Sequence, residues 1–156
     1  MRLIGQGHTA PDFTLTNYDG TLFTLSQQLT HGPVVLIFYI ADELPNCDKL
    51  LCRINDDVRE FADLGITVAG VNNLTPERHQ QYAERRLMQL PLLSDTDCRV
   101  AEMYDSIFSI GPIRVIRYSV VGIGTNGVIR YHQRGRPSNQ AIITGMRLGL
   151  PNSPSV

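Results

Sequence analysis

The sequence predicts an α/β domain built on a mixed central β-sheet that helices flank on both faces. Two apolar runs, at residues 34–39 and 66–71, are separated by a segment whose apolar residues recur at helical spacing. Strands buried on both faces are apolar along their whole length, and strands that alternate with helices form such sheets. We therefore expect the two runs to be adjacent parallel strands at the centre of the sheet.

An N-terminal β-hairpin precedes these strands, because residues 13–16 alternate apolar and polar side chains, 17–20 form a turn signal and 21–24 can return. The remaining periodicity and punctuation by Gly and Pro predict four helices and three further strands. The predicted helices cover residues 45–64, 76–87, 97–104 and 138–148, and the predicted strands cover 90–93, 115–123 and 128–132. Asp97 is the expected N-cap of the third helix.

The length of 156 residues indicates one domain, over residues 1–150, followed by a frayed tail at 151–156. The formal net charge of −1 gives no basic surface for nucleic acid. The longest apolar run, residues 34–41, is too short to span a bilayer, and no apolar leader precedes it. We therefore expect a cytoplasmic protein with neither a nucleic-acid nor a membrane partner.

The chain has three cysteines, Cys47, Cys52 and Cys98. A small and odd number of cysteines argues against the disulfide framework of a secreted protein. Cys47 falls in the first turn of the predicted helix, where free N–H groups and the helix dipole stabilise a thiolate. Neighbouring acidic residues oppose that charge, so burial of an inert Cys47 remains the alternative. For Cys98, burial as a small apolar residue is the favoured interpretation, and a second resolving thiol is the other.

Cys52 follows Cys47 by five positions. On one continuous helix the two side chains would point about 140° apart, with Cα atoms ~8–9 Å apart, beyond the reach of a disulfide. The two thiols can pair only if the first helical turn unwinds, which is easy for a terminal turn. Zinc is a poor alternative because two cysteines without a nearby Cys or His pair do not make a tetrahedral site.

Several segments in this order resemble the peroxiredoxins of the bacterioferritin-comigratory-protein type, within the alkyl hydroperoxide reductase and thiol-specific antioxidant superfamily. The resemblance extends from about residue 5 to 148 and implies a thioredoxin-like fold. Asp42, Pro45, Cys47 and Cys52 match the active-site loop and helix of that family. The other matching segments are residues 10–15, 33–39, 64–71 and 90–95.

The resemblance implies a thiol-dependent peroxidase that uses no metal and no cofactor. Cys47 would be the peroxidatic cysteine, which a hydrogen peroxide or organic hydroperoxide oxidises to a sulfenic acid. Cys52 would be the resolving cysteine, which condenses with it to a disulfide. Thioredoxin or a similar thiol donor would then reduce the disulfide. The expected partners are therefore a peroxide and a thiol reductant. The expected oligomeric state is a monomer or a homodimer.

Two positions of the active-site loop depart from the family pattern. The family carries a proline seven residues before the peroxidatic cysteine and a threonine three residues before it, and this chain has Ile40 and Leu44 there. The threonine hydroxyl hydrogen-bonds the peroxide and the thiolate in that family, and a leucine cannot.

The family's arginine, which holds the thiolate and the peroxide, falls on a later strand. Counting back from Gly127 without a gap places Tyr118 at this position, whereas one extra turn residue places Arg117 there. Arg114 lies nearby, on the opposite strand face from Arg117. The predicted pocket residues are therefore Ile40, Leu44, Arg114, Arg117 and Tyr118.

Loss of one preorganised hydrogen-bond donor typically lowers an enzyme's rate by ~10²–10³. The alternative to an efficient peroxidase is therefore a peroxiredoxin-like protein with weak or lost peroxidase activity. Such a protein would act as a thiol–disulfide oxidoreductase or as a redox-sensing or partner-binding domain.

Overall fold

The computed structural model describes residues 4–40 and 49–148, apart from the side chain of Leu148. The strands are β1 Thr14–Asn17, β2 Leu22–Thr24, β3 Val34–Phe38, β4 Thr67–Asn72, β5 Leu92–Ser94, β6 Ile107–Ile110, β7 Ile113–Ile116, β8 Ser119–Ile123 and β9 Ile129–Arg134. The helices are α1 Leu25–Gln28, α2 Lys49–Asp56, α3 Val58–Asp63, α4 Pro76–Arg86, α5 Arg99–Met103 and α6 Asn139–Leu148.

Seven strands form one mixed sheet in the order β2-β1-β5-β4-β3-β8-β9. At its centre β3 pairs parallel with β4 and antiparallel with β8. The prediction that the two apolar runs are adjacent parallel strands is therefore confirmed, as is the N-terminal hairpin of β1 and β2. Because β3 is buried along its whole length, its residues cannot alternate between apolar and polar.

Successive side chains of β3 enter two separate clusters, one on each face of the sheet. We call the side covered by α1 and α5 the α5 face; it takes Val34, Leu36 and Phe38. The side covered by α2, α3, α4 and α6 is the α2 face, and it takes Val35 and Ile37 of β3 and Tyr39, which follows the strand. Each fully buried aliphatic or aromatic side chain contributes ~1.5–3 kcal/mol, so both faces matter to stability.

The predicted helix over residues 45–64 is interrupted in its described part. Helix α2 ends at Asp56, and Asp57, with φ −105° and ψ 17°, separates it from α3. Residues 45–48 lie outside the described residues. Apolar spacing alone could not predict the break, because Ile54 and Phe61 on either side of it both pack on the α2 face.

The predicted strand over residues 115–123 is also interrupted. Its first part belongs to β7, which pairs with β6, a strand that the sequence did not predict. Gly111, at φ +58°, makes the turn between β6 and β7, a conformation that glycine adopts without strain. The second part is β8, and Arg117 and Tyr118 connect the two.

Helix α5 begins two residues later than predicted, and Asp97 is not its N-cap residue. Cys98 occupies that position with φ +60°. The Asp95 carboxylate instead accepts from the backbone N–H groups of Val100 and Ala101, at 3.1 and 2.8 Å. A carboxylate upstream of the helix thus satisfies the N–H groups that an N-cap side chain normally serves.

A buried histidine ties α4 to the two parallel strands beside it. His79 Nε2 lies 2.5 Å from Asn72 Oδ1 at the end of β4, and Nδ1 lies 3.1 Å from Ser94 Oγ at the end of β5. With the proton on Nε2, Ser94 donates to His79 and His79 donates to Asn72. Burial lowers the pKa of His79 to about 4.

This histidine predicts a specific loss of stability in mild acid. The unfolded chain takes up the imidazole proton near pH 6.5, whereas the folded chain takes it up only at about pH 4. Between these values the unfolded state binds more protons, so the free energy of unfolding falls as the pH falls, by up to about 1.4 kcal/mol per pH unit. Urea unfolding of the wild type and of His79→Gln between pH 4 and 8 measures this slope.

The exposed His31 provides the control. His31→Gln should keep the wild-type slope between pH 6.5 and 4, whereas His79→Gln should flatten it. Equal slopes for the wild type and His79→Gln would mean that His79 is not held neutral in the folded protein.

Candidate functional site

Cys52 lies on α2, on the α2 face of the sheet. Three neighbouring side chains of the helix, Leu50, Leu51 and Ile54, are fully buried and fix the orientation of the helix. Cys52 itself is half-buried, and its Sγ lies 3.9 Å from the hydroxyl oxygen of Tyr82 on α4. Cys52 is disulfide-bonded, so the structure describes it in its oxidised form.

The carboxyl end of β3 lies at the edge of the sheet where ligands bind in folds of this type. The backbone N–H of Tyr39 still donates to Val71 on β4, at 3.2 Å, and the ring of Tyr39 is buried on the α2 face. The next side chain, Ile40, is 41% exposed. The predicted site residues Leu44 and Cys47 follow in the chain and lie outside the described residues.

The structure separates the three residues considered for the missing arginine. Tyr118 packs against the α2-face cluster, as Cys52 does. It immediately precedes Ser119, which pairs with Phe38 at the carboxyl end of β3. Tyr118 is thus the one of the three that the structure places on the same face of the sheet as Cys52, next to the carboxyl end of β3.

Arg117 and Arg114 make their contacts elsewhere. The guanidinium carbon of Arg117 lies 5.5 Å from the centre of the Phe108 ring on β6. Arg114 forms an ion pair with Glu102 on α5 and also reaches the backbone oxygen of Asp97, at 3.4 Å.

Two arginines that were not predicted as site residues lie in this region, Arg136 at Tyr118 and Arg53 next to Cys52 in the sequence. The guanidinium carbon of Arg136, which follows β9, lies 4.3 Å from the centre of the Tyr118 ring. Arg53, next to Cys52 on α2, donates to the backbone oxygen of Pro137 at 2.6 Å. The signal in the sequence is the β8–β9 hairpin itself, since the chain after β9 must return to the edge from which β8 starts.

Cys98 lies on the opposite face of the sheet from Cys52. It is buried in the α5-face cluster and is a free thiol. Burial raises the pKa of the Cys98 thiol, and the nearby Asp95 carboxylate raises it further. A thiol held protonated and covered is a weak nucleophile, which agrees with the interpretation of Cys98 as a packing residue.

An open cleft of about 800 Å³ lies between α5 and the β6–β7 hairpin. Charged and polar side chains dominate its lining, which consists of Asp97, Arg99, Glu102, Met103, Asp105, Ile107, Ser109 and Arg114. Because α5 covers the face opposite to Cys52, this cleft lies on the other side of the sheet from Cys52.

Neither a metal cluster nor a membrane-spanning helix is found in the described part of the chain. Residues 4–40 and 49–148 contain no group of three or more His, Cys, Asp or Glu side chains placed to hold a metal ion. Over the same ranges, every helix is too short or too polar to cross a bilayer.

Comparison with known proteins identifies the family. The AhpC/TSA family model matches residues 6–132. A Mycobacterium tuberculosis protein assigned to the peroxiredoxins is 38% identical over 98 residues, which is 63% of this chain and 64% of that protein. Chloroplastic peroxiredoxin Q of Oryza sativa subsp. japonica is 30% identical over 131 residues, 82% of this chain and 58% of the relative.

Among solved structures, peroxidoxin BcpB from Mycobacterium tuberculosis superposes with a TM-score of 0.83 at 28% identity, over 91% of this chain and 96% of that one. The match spans less than two thirds of the length of the curated relatives. The family model nevertheless covers well over half of the 156 residues. The chain therefore belongs to the AhpC/TSA family, and the resemblance to peroxiredoxins seen in its sequence is confirmed.

Proposed function

We propose that the protein is a thiol-dependent peroxidase, with Cys47 as the peroxidatic and Cys52 as the resolving cysteine. The observation that carries the proposal is the state of Cys52, which is disulfide-bonded on the α2 face of the sheet, while Cys98 is free on the other face. Membership of the AhpC/TSA family supports the same chemistry. We propose Cys47 as the disulfide partner of Cys52.

The reaction follows from the chemistry of the two thiols. The Cys47 thiolate attacks the terminal oxygen of a hydroperoxide; an S–O bond forms, the O–O bond breaks, and the departing alkoxide or hydroxide takes up a proton. Cys47 is then a sulfenic acid. The Cys52 thiol attacks its sulfur, so an S–S bond forms and water leaves. A dithiol reductant returns both thiols by exchange and is itself oxidised to a disulfide.

The substrate and the reductant are proposed as classes. Leu44, in place of a hydroxyl-bearing residue, and the exposed Ile40 put two apolar residues in the segment that precedes Cys47 in the sequence. An apolar pocket would suit organic hydroperoxides as well as hydrogen peroxide. Thioredoxin or a similar thiol protein is the proposed reductant, and a reducing compartment such as the cytoplasm would supply it. A monomer or a homodimer can carry out this cycle.

Cysteine-to-serine variants test the two proposed roles. We expect Cys47→Ser to abolish peroxide consumption in a coupled assay with a thioredoxin system, because it removes the nucleophile. Cys52→Ser should still consume about one equivalent of peroxide per chain and then stop, since its sulfenic acid cannot be resolved into a disulfide.

Cys98→Ser is the matched control and should keep the wild-type steady-state rate. Peroxide turnover that survives in Cys47→Ser would contradict the assignment of the nucleophile. A wild type that exchanges disulfides but consumes no peroxide would favour the alternative, a thiol–disulfide oxidoreductase.

A substitution at Leu44 tests for a gain in activity, whereas the cysteine variants test for a loss. Leu44→Thr introduces the hydroxyl that the resemblance assigns to this position, so it should raise the second-order rate constant with hydrogen peroxide by about tenfold or more. Leu44→Val, which changes size without adding a hydroxyl, is the control and should leave that rate constant within about threefold of the wild type. No increase in the threonine variant would show that the leucine does not limit the reaction.

A further inference from the structure

Leu87, at the end of α4, is 79% exposed, more than any other large apolar side chain in the described part of the molecule. A single exposed leucine is ordinary on a protein surface. Its backbone is not ordinary, because Leu87 has φ 53° and ψ 48°, the left-handed conformation that residues other than glycine rarely adopt. The feature that needs a reason is therefore a leucine at a position that suits glycine.

The end of α4 gives no local reason for this leucine. The backbone N–H of Met88 donates to the backbone oxygen of Ala83 at 2.9 Å, a helix end in which the residue before the donor takes the left-handed conformation and is usually glycine. The Met88 side chain is buried and supplies the packing at this end. Leucine at position 87 is strained relative to glycine, and its exposed side chain is free to contact another molecule.

The backbone around Leu87 is tied to the helix that carries Cys52. Asn55 Nδ2 donates to the backbone oxygen of Leu87 at 3.3 Å, and Asn55 Oδ1 accepts from the backbone N–H of Gln89 at 2.7 Å. Asn55 lies three residues after Cys52 on α2, and residues at this spacing lie on the same side of a helix. Cys52 in turn lies beside Tyr82 of α4. We call this line of contact, from Cys52 and Tyr82 to Asn55 and Leu87, the α2–α4 seam.

The α2–α4 seam places Leu87 close to Cys52. The helical spacing, the length of the Asn55 side chain and its 3.3 Å hydrogen bond together put the Leu87 backbone oxygen within ~12 Å of the Cys52 Cβ. A protein that docks specifically covers ~800 Å² of its partner, which is a patch with a radius of ~16 Å. A patch of this size centred on Cys52 extends to Leu87.

Polar and charged residues adjoin Leu87 along the chain and across the seam. The exposed ones are Asp56 on α2, Glu84 and Arg85 on α4, and Gln89. An apolar centre within a polar rim is the usual composition of a protein interface. Because the rim carries both signs of charge, the surface suits a partner that is recognised by an apolar contact.

Two kinds of protein could cover this surface, a thiol reductant or a second copy of the chain. Cys52 is disulfide-bonded, and thiol–disulfide exchange requires the attacking sulfur to reach the disulfide. A second copy held on Leu87 would cover the patch around Cys52 and obstruct that attack. The state of Cys52 therefore favours the reductant.

We propose that Leu87 is the apolar contact on which a protein reductant docks when it reduces the disulfide of Cys52. The partner is a thioredoxin-like dithiol protein with an apolar surface beside its reactive thiol. The inference rests on the proposed function, because it takes this disulfide to be the one that the catalytic cycle forms.

The exchange itself proceeds in two steps. A thiolate of the reductant attacks one sulfur of the disulfide, so the S–S bond breaks, a mixed S–S bond forms and the displaced thiolate takes up a proton. The second thiol of the reductant, as its thiolate, then attacks its own partner sulfur in the mixed disulfide. Both cysteines of this chain are thereby reduced, and the reductant leaves as a disulfide.

The test starts from protein that diamide has oxidised and uses no peroxide, so it does not depend on peroxidase activity. Reduced thioredoxin or dithiothreitol is added, and acid quenching with thiol labelling gives the second-order rate constant of disulfide reduction. Leu87→Asn introduces a polar residue that tolerates the left-handed conformation. We expect it to lower the rate constant with thioredoxin about fivefold to tenfold, whereas the rate constant with dithiothreitol, which needs no docking surface, stays within about twofold.

Two variants serve as controls. Leu22→Asn is the matched one, because Leu22 is 69% exposed on β2 at the outer edge of the sheet, and it should leave both rate constants unchanged. Leu87→Met keeps an apolar side chain and should retain most of the rate with thioredoxin. Should Leu87→Asn fail to fold, Leu87→Gly, which suits φ 53°, replaces it in the same measurements.

An unchanged rate constant of Leu87→Asn with thioredoxin would overturn the inference. An equal loss with dithiothreitol would do so too, because the disulfide itself would then have changed. A wild-type dimer, seen by light scattering, that Leu87→Asn dissociates would assign the surface to a second copy. A wild type that thioredoxin reduces no faster than dithiothreitol does would also count against the docking, whereas a reduced wild type that consumes no peroxide contradicts only the proposed function.

Discussion

The burial of β3 on both of its faces is the constraint from which the rest of the structure follows. Because every side chain of this strand is covered, helices must pack on both sides of the sheet, and the two sets of β3 side chains define two cores. Cys52 belongs to one core and Cys98 to the other. The strand thus separates the disulfide-bonded Cys52 from the free Cys98.

The same strand also determines which residues of the neighbouring strands lie at its carboxyl end. Its antiparallel partner β8 starts where β3 ends, so Tyr118 reaches the sheet edge from which the chain continues towards Cys47. The next strand, β9, returns to that edge and carries Arg136 to the ring of Tyr118. A charge at this edge can therefore come from either side of the β8–β9 hairpin.

The sequence predicted the parts of the fold whose signals are strong and local. The run at residues 34–39 is apolar because both sheet faces are covered, and Thr75 with Pro76 marks the start of α4, where the Thr75 hydroxyl accepts from the Arg78 N–H at 3.3 Å. The break at Asp57 and the β6–β7 hairpin were missed. In both places tertiary packing overrides a local pattern that would suit a longer element.

The neighbourhood of the site was less predictable because it depends on strand register. Pairing counted outward from the predicted turn at residues 124–127 places residue 133 opposite Tyr118. In the structure Ile123 pairs with Ile129, one residue beyond that count, and an irregularity between Gly122 and Ile123 adds a second residue, so Gly135 lies opposite Tyr118. Bulges of this kind leave no clear sequence pattern. The contact between Arg136 and Tyr118 could therefore not be predicted from the sequence, which left both Arg117 and Tyr118 open as the position of the family's arginine.

The most direct measurement is a peptide map of the disulfide that forms when the fully reduced protein is treated with one equivalent of hydrogen peroxide. The chemistry proposed for the two cysteines predicts a single cross-link between the peptides of Cys47 and Cys52, with Cys98 remaining available to a thiol reagent after unfolding. A cross-link that contains Cys98, or oxidation that leaves Cys52 as a free thiol, would contradict it.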